Sequence, residues 1–437
     1  MTRMFALLTA ALLPLPALAE VEIQEVTSPG GITAWLVEEH SIPFTAIDIL
    51  FEGGANEDAA GKRGATNLMM SLLEEGAGEY DAQAFAERAE ELAARMSFDA
   101  ANDSVSVGLQ FLTENREESV DLLREALTDP HFDMDAVERV RAQVLASIAS
   151  DASDPGDIAS DTFSGLAFPG HPYGTSLEGT PETVAALNIE DLRDAHQRAL
   201  TRDRALVGVT GDITAKELGP LLDRLLGDLP ESDGATVADA SYDLSGGVTV
   251  VDFPSPQSVV LFGHEGIAFD DPDYFPAYVL NEVLGGAGFD SRLMQEVRVK
   301  RGLTYGIGTD LVPRDLAAQV MGQFSSSNDK TAEAVRIVRD EWTRLASEGV
   351  TDAELEAAKT YLTGAYPLRF DGNSRIASIL VGMQANDLPI DYIATRNARI
   401  EAVTQDDVRR VAARVLRPEE LHFVVVGQPE GLQSGGF

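Results

Sequence analysis

The sequence predicts an α+β fold that is duplicated along the chain, giving a two-domain architecture in which each half is a mostly antiparallel sheet with helices packed on one face. Two observations predict it. Each half contains an alternating, strand-like stretch that breaks at glycines and precedes two helical stretches, two strands and two more helices. Each half also ends in a capped helix, a turn and an apolar strand that stops at a glycine.

The elements of the first half follow one another in a regular order. The stretch "TAIDILFEGGANED" alternates apolar and polar residues, as a half-buried strand does, and then breaks at two glycines. Periodicity and breakers then predict a helix over 64–75, a second helix over 81–95, strands within 96–112, and helices near 116–127 and 133–150.

The second half repeats this order. Its strand and glycine break lie in "SVVLFGHEGIAFDDPD". The elements predicted after them are a helix over 274–284, a second helix near 290–300, strands from 303 to 325, and helices near 329–347 and 351–364. Because the two halves share one plan, we expect them to fold alike and to enclose a cleft.

The closing segments of the halves match as well. "LNIEDLRDAHQRALTRDRALVGVTGD" and "VTQDDVRRVAARVLRPEELHFVVVGQ" each contain a helix and then an apolar strand. Asn188 with Asp191, and Thr404 with Asp407, have the residue types and spacing of N-terminal helix caps.

A stretch rich in Asp, Ser and Gly, at 228–247, predicts a linker between the halves. The sequence therefore predicts four segments: a signal peptide at 1–19, an N-terminal domain at 20–230, the linker at 231–248, and a C-terminal domain at 249–437.

The composition excludes several classes of function. The 437 residues include 72 acids and 33 bases, so that the formal net charge is −39. Binding to nucleic acid or to an anionic membrane surface needs a positive face, which this balance argues against. The chain has no cysteine, which excludes disulfides, thiolate zinc sites and cysteine nucleophiles.

The first residues, "MTRMFALLTAALLPLPALAE", have the plan of a secretory signal peptide. Arg3 supplies the positive start, residues 5–15 form the apolar run, and Ala17–Ala19 form a small-x-small cleavage site. We expect cleavage after Ala19 and a periplasmic or secreted protein. No other segment is long and apolar enough to span a bilayer.

Two stretches hold candidate functional residues. In "GATNLMMSLLEE", Asn67, Met70 and Ser71 share one face of a predicted helix. In "LGGAGFDSRLMQEVRVKRGLTYGIGTDL", Arg301 and Tyr305 lie at a helix-to-strand corner that can aim both side chains into a cleft. They would suit a peptide carbonyl or carboxylate, because Arg has five donors and Tyr an O–H. A purely structural role is the alternative, since Arg is favoured at helix C-termini and Tyr in strands.

"SRLMQEVRVKRGLTYGIG" closely resembles the signature of the second half of the pitrilysin/insulinase metallopeptidases, the inverzincins. "GHPYGTSLEGTPE" and "LTRDRALVGVTGD" resemble the same family, and the resemblance covers essentially the whole mature chain. In length the chain is similar to the short bacterial, processing-protease-like members. The resemblance implies the duplicated α+β fold and an enclosed chamber that admits peptides.

The family's zinc site is H-x-x-E-H on a helix of the first half, with a third ligand on a later helix. Carried over residue by residue, the ligands and the general base fall on Asn67, Met70 and Ser71, and the third ligand falls on Ser147. A residue that supports the site falls on Val140. Neutral Asn and Ser are poor zinc ligands and a thioether is no general base. The resemblance therefore implies a degenerate metal site and no metal in this chain.

In the family, the Arg and Tyr of the second half bind substrate and stabilise the oxyanion at the zinc. Some bacterial members divide the site between two chains, and this sequence resembles the chain that keeps the pair and lacks the zinc. The resemblance implies a non-catalytic subunit of a heterodimer, inactive alone, with zinc in a homologous partner and with peptides as substrates. Arg301 and Tyr305 would act at that partner's site.

Three alternatives remain open. The first alternative is a peptide-binding or scaffold protein without an enzymatic role. The second is a lone peptidase with an unrecognised metal site. The third alternative is a loose calcium site at Asp151, Asp154 and Asp157.

Overall fold

The structure is a computed structural model that describes residues 22–234, 236–286 and 288–435. The predicted signal peptide, 1–19, lies outside the described residues. Within the described part of the chain, no helix is long and apolar enough to cross a membrane.

The first half contributes eight strands and eight α-helices to the described structure, besides short 3-10 helices. In chain order they are β1 Gln24–Thr27, β2 Thr33–Glu38, β3 Phe44–Glu52, α1 Ala65–Met70, β4 Gly76–Ala77, β5 Tyr80–Asp81, α2 Ala82–Glu91, β6 Arg95–Ala100, β7 Ser104–Leu112, α3 Arg116–Thr128, α4 Met134–Asp151, α5 Pro155–Ala167, α6 Pro181–Ala186, α7 Ile189–Ala199, β8 Ala205–Gly211 and α8 Ala215–Leu226.

The second half contributes the remaining elements of the described chain. They are β9 Gly247–Asp252, β10 Gln257–Glu265, α9 Tyr274–Gly285, a π-helical segment Met294–Val299, β11 Ile307–Pro313, β12 Ala318–Ser327, α10 Thr331–Glu348, α11 Asp352–Ala365, α12 Asn373–Ala385, α13 Tyr392–Glu401, α14 Gln405–Val415 and β13 His422–Gly427.

The two large sheets share the same topology over five strands, and the first sheet has β1 as a sixth strand at its edge. The first has the order β1-β2-β8-β3-β7-β6, and the second has the order β9-β13-β10-β12-β11 when read from its parallel pair. In each sheet one pair is parallel, β2 with β8 and β9 with β13, and the other pairs are antiparallel. The predicted duplicated α+β architecture is therefore confirmed.

Alternation of side chains builds a separate apolar core under each sheet. In β7, Val105, Val107, Leu109 and Phe111 are buried and belong to the first core, while the residues between them are half-buried. The second core collects the buried residues of β10, β12 and β13 with those of the helices that cover them. Period-2 burial of this kind sets the register, since a slip by one residue would expose the apolar face.

The other face of each sheet carries a helix from the opposite half. Helix α12 packs on β3 and β8 of the first sheet, and α5 packs on β10 and β13 of the second. Gly208 of β8 permits the first contact, because a Cβ there would come within 2.3 Å of the Ala377 carbonyl oxygen. Gln384 Nε2 also donates to the Val207 carbonyl at 3.0 Å. The halves thus interlock through exchanged helices.

Several local predictions can be compared with this structure. Both predicted helix caps are confirmed, because α7 and α14 begin with complete capping boxes at Asn188 and Thr404. The predicted helix over 64–75 is too long, since α1 ends at Met70 and a series of turns follows it.

Other predicted boundaries need correction as well. The prediction of a strand from 303 is wrong, since β11 begins at Ile307 and Thr304 is instead hydrogen-bonded to the Ser325 carbonyl. Strand β9 begins at Gly247, because this residue already pairs with His422, so it takes the last two residues of the predicted linker at 231–248.

Candidate functional site

Helix α1 is anchored at its first turn by a buried carboxylate. Asp58 accepts hydrogen bonds from the Gly64 and Thr66 backbone amides at 2.9 and 3.0 Å, and from the Thr66 hydroxyl at 2.7 Å. Negative charge at a helix N-terminus is stabilising. Gly64 has φ 98°, which favours glycine, and a Cβ there would lie 2.4 Å from the Glu178 carbonyl oxygen.

The loop around Glu178 is held against α1 by one arginine. Arg63 donates to the carbonyls of Ser176 and Pro172 at 3.0 and 3.2 Å, and to Asn102 Oδ1 at 2.8 Å. The guanidinium fork thus ties the segment "GHPYGTSLEGTPE" to the start of α1. As a result, Glu178 reaches the same cavity as the residues of α1.

We call this space the α1–α4 cavity, and its volume is about 450 Å³. Its lining comes from α1 and the turns after it, from β6, from one face of α4 and from the loop before α6. The lining residues are Asn67, Met70, Ser71, Glu74, Glu75, Met96, Ser97, Phe98, Val140, Gln143, Val144, Ser147 and Glu178. The structure therefore brings together Asn67, Met70, Ser71 and Ser147, the four positions to which the resemblance assigns a degenerate metal site.

The donor groups of this cavity do not fit zinc. Met70 is only 1% exposed and belongs to the first core, and Ser71 Oγ donates to the Asn67 carbonyl at 3.0 Å. A serine hydroxyl bonded back to its own helix serves as a local cap. No group of three or more His, Cys, Asp or Glu residues that could hold a metal ion occurs in 22–234, 236–286 or 288–435. Asp154 belongs to the alternative calcium site, and its side chain caps the N-terminus of α5 by accepting hydrogen bonds from the Gly156 and Asp157 amides.

Among the described residues, two of the three carboxylates in the cavity form no ion pair with a cation. Glu75 forms a bidentate ion pair with Arg139, with one N–O distance of 2.8 Å. Burial and the charge of Glu75 raise the pKa of Glu74. Burial, and the carboxylates of Asp151 and Asp157, raise the pKa of Glu178. Its Oε2 atom is shielded from solvent and has no hydrogen-bond partner in the described structure.

Arg301 and Tyr305 lie on the loop between the π-helical segment and β11. Arg301 Nη1 donates to the carbonyl and to Oε2 of Glu296, at 2.7 and 2.6 Å. The Arg301 side chain is 39% exposed, and Tyr305 is 86% exposed. Lys300 pairs with the other carboxylate oxygen of Glu296, and these two cations lower the pKa of Glu296.

The backbone around Tyr305 is fixed from below. Thr304 is buried and its hydroxyl donates to the Ser325 carbonyl at 2.7 Å, while Ser326 Oγ donates to the Leu303 carbonyl at 2.6 Å. These hydrogen bonds hold residues 303 and 304 against β12. The exposed Tyr305 side chain therefore stands on a supported loop, where it lines a groove along β11 and β12.

The two candidate groups occupy different surfaces. Neither Arg301 nor Tyr305 lines the α1–α4 cavity. Sequence reasoning missed the contribution of Glu178, Gln143 and strand β6 to that cavity. The nearest signal was the glycine-rich segment around Glu178, but its contact with α1 depends on the long side chain of Arg63.

Comparisons with known proteins identify the family. The profile of the insulinases, peptidase family M16, matches residues 34–181, and that of the peptidase M16 inactive domain matches residues 186–362. The chain belongs to the pitrilysin/insulinase family of metallopeptidases. Together the two matches run from β2 into α11, which includes both candidate sites.

Relatives of this M16 protein include both peptidase-like and inactive members. The non-peptidase homolog YmxG of Helicobacter pylori is 26% identical over 89% of this chain and 90% of its own. An uncharacterized zinc protease of Streptomyces coelicolor is 25% identical over 90% of this chain and 87% of its own. The structure of a peptidase M16 inactive domain from Pseudomonas fluorescens is 26% identical, with a TM-score of 0.88, covering 94% of this chain and 99% of that one. The M16 relatives of this chain thus include a non-peptidase homolog and an inactive-domain structure as well as a zinc protease.

Proposed function

We propose that this M16 chain is the non-catalytic subunit of a periplasmic heterodimeric zinc metallopeptidase. Its role is to supply Arg301 and Tyr305 to the zinc site of a homologous partner that hydrolyses peptides. The observation that supports this proposal most is the contrast between the two candidate groups. The zinc-site positions hold groups that do not fit the metal, while an exposed Arg and Tyr stand on a supported loop.

The contact between Arg301 and Glu296 does not prevent this role. Solvent screens the attraction between the exposed Arg301 and Glu296, so a substrate carbonyl or oxyanion can replace Glu296 at little cost. The guanidinium would then donate to the oxyanion, and the Tyr305 hydroxyl would donate to the substrate backbone. One such donor contributes on the order of 3 kcal/mol to transition-state stabilisation.

The experiment is a zinc and peptidase assay on the chain that begins at Glu20, alone and mixed with a homologous subunit that carries H-x-x-E-H. We expect no zinc and no cleavage alone, and cleavage in the mixture. Arg301→Ala and Tyr305→Phe should each lower kcat in the mixture by on the order of 100-fold. Lys300→Ala is the matched control, because Lys300 is an exposed neighbour that also pairs with Glu296.

Stoichiometric zinc and cleavage by the chain alone would refute the proposal. Export is tested separately, by sequencing the N-terminus of the chain from the periplasm. We expect it to begin at Glu20, after cleavage following Ala19.

The second candidate is a peptide-binding or scaffold protein of the same fold without an enzymatic role. One observation favours it, namely that the Arg301 guanidinium is already bonded twice to Glu296 in its own half. In this case the ion pair between Arg301 and Glu296 stabilises the loop before β11. A mixture that assembles but cleaves no peptide, with Arg301→Ala lowering only stability, would favour this candidate.

A further inference from the structure

The hydrogen bonds of Arg301 engage only one nitrogen of its guanidinium. Nη1 donates twice to Glu296, to the backbone carbonyl at 2.7 Å and to Oε2 at 2.6 Å. Among the described residues, no other atom accepts a hydrogen bond from this guanidinium. Arginine has five N–H donors in a rigid planar fork, so the three on Nε and Nη2 remain for another acceptor. Nε and Nη2 share one edge of the fork, which suits a carbonyl oxygen or an oxyanion.

The local backbone explains why Glu296 and Arg301 meet although they are five residues apart. In an α-helix, side chains three and four residues apart share a face, and those five apart point in different directions. The segment Met294–Val299 is instead π-helical, and the Lys300 amide donates to the Gln295 carbonyl, five residues back, at 3.0 Å. This wider turn brings position 301 next to position 296. Turns of this kind occur frequently at functional sites.

The carboxylate of Glu296 is itself held in place. The Glu296 side chain is only 13% exposed, and its other oxygen pairs with Lys300 at 2.5 Å. Because Lys300 and Arg301 lower the pKa of Glu296, the carboxylate stays ionised at neutral pH. A fixed, charged acceptor thus lies beneath a more exposed donor. It orients the guanidinium before a substrate arrives, so that less rotamer freedom is lost on binding.

Glu296 is the acid that can set this orientation. The pKa of Arg301 is raised chiefly by its hydrogen bond to Glu296, and the charge of Glu333 on α10 adds to this effect. No hydrogen bond joins Glu333 to Arg301 among the described residues, so Glu333 contributes charge without direction. A peptide oxygen need not displace Glu296, since it can approach Nε and Nη2 while Nη1 stays bonded.

We propose that Glu296 is the positioning residue of Arg301. Its carbonyl and carboxylate oxygens hold Nη1 and thereby present Nε and Nη2 to the peptide oxygen that Arg301 binds. Glu296 itself touches neither the substrate nor the zinc. This inference rests on the proposed function, because it concerns the reaction to which Arg301 contributes. The fixed guanidinium, however, is a property of this chain alone and can be measured without a partner.

Side-chain NMR of arginine tests the fixed guanidinium on the full chain without any partner. The chain is labelled with ¹⁵N-arginine, and the Nε–H signal of Arg301 is assigned from its loss in Arg301→Lys. We expect Glu296→Ala to lower the order parameter of this N–H by about a third, the difference between a rigid and a flexible group. Glu333→Ala is the matched control, because it removes an exposed acid near Arg301 that does not hydrogen-bond to it. It should leave the order parameter unchanged.

A double-mutant cycle in the mixture with the zinc-bearing subunit tests the effect on the reaction. Glu296→Ala should lower kcat by about tenfold and leave KM within about twofold, because misplaced Arg301 donors weaken the transition state more than the ground state. Glu296→Gln keeps an oxygen that can accept from Nη1, so it should restore part of kcat. Adding Glu296→Ala to Arg301→Ala should lower kcat no further, since no guanidinium is left to position.

Three results would overturn the proposal: an unchanged order parameter in folded Glu296→Ala, a kcat that rises in this variant, or a double variant in which the two losses of kcat multiply. The last result would mean that Glu296 acts on the fold and not through Arg301. A wild-type mixture without peptidase activity would refute the proposed function, and the order parameter of the chain alone would then decide whether Glu296 holds Arg301. Circular dichroism checks folding, and Glu296→Gln replaces Glu296→Ala in both measurements if the latter does not fold.

Discussion

Five strands have the same order in the two halves of this M16 protein, yet the halves differ in the helix that follows β3 in the first half and β10 in the second. In the first half α1 is short and opens onto a cavity through Asn67 and Ser71. In the second half, α9 follows the equivalent strand and is twice as long. There Asn281 is satisfied internally, by donating to the Thr309 carbonyl at 2.9 Å. A shared topology therefore places helices but does not decide which of them borders a site.

The halves also differ in how they treat buried charge. In the second half, Arg292 holds Glu354 with two hydrogen bonds of 2.7 and 2.9 Å, and this carboxylate also closes the capping box of α11. In the first half, Glu125 and Glu178 each keep a buried oxygen that has no hydrogen-bond partner among the described residues. Burial raises the pKa of both carboxyl groups, because it disfavours their charged form.

The largest expected effect would come from restoring the metal ligands of the first half. Asn67→His, Ser71→His and Ser147→Glu together should let the chain bind one zinc ion, because all three positions line the α1–α4 cavity. Met70 is left unchanged, since a Glu there would be buried in the core. Metal analysis after dialysis measures the zinc content.

A double variant with only the two histidines is the matched control. It should hold zinc much more weakly, because a third protein ligand is missing. A triple variant that folds but holds no more zinc than the wild type would show that the carried-over positions do not form the family's metal site.

Two glycines with positive φ give the next comparison. Gly64→Ala should lower the free energy of unfolding by about 3 kcal/mol or more, because its Cβ would meet the Glu178 carbonyl. Gly302, on the loop that carries Arg301, has φ 61°, and a Cβ there would have no atom within 4 Å. Gly302→Ala should therefore lower the free energy of unfolding only by the cost of the left-handed conformation, about 1 kcal/mol. Urea unfolding measures both. Equal losses would mean that the contact between α1 and the Glu178 loop is not tight.

The contributions of Glu354 and Glu178 to the stability of the fold should change with pH in opposite directions. Arg292 and Thr351 lower the pKa of Glu354 from 4.5 to about 2, so its stabilisation is present above about pH 4.5 and is lost as the pH falls toward 2. Glu354→Gln should therefore destabilise the protein at neutral pH, by about 1–2 kcal/mol after allowance for solvent screening.

Glu178 should behave in the reverse way. Its raised pKa means that the folded state binds the proton more readily than the unfolded state does. The charged carboxylate therefore destabilises the fold once the pH rises above the ordinary pKa of a glutamate. Glu178→Gln should raise stability at neutral pH and have no effect in acid. Urea unfolding across this pH range tests both variants, and a loss of stability for Glu178→Gln at neutral pH would contradict an unpaired carboxylate.

Much of the local structure could be predicted because its causes lie within a few residues. The capping boxes at Asn188 and Thr404 need only a side chain and the amide three residues on. Helix lengths were less predictable. The pattern after Gly64 stays apolar to Leu73, but α1 ends at Met70, and the residues after it turn toward Arg139 and α4. The Glu75 side chain that follows these turns pairs with Arg139, 64 residues away, and local periodicity does not predict such a contact.

The sequence by itself determined the duplicated plan and the absence of zinc-binding side chains at the family's ligand positions, because periodicity and residue chemistry are local properties. Tertiary structure alone decided that Ser147 and Glu178 share a cavity with α1, and that α5 and α12 are exchanged between the sheets. These contacts join side chains whose meeting depends on packing, on the reach of Arg63 and on glycines that let backbones approach. No local pattern carries that information.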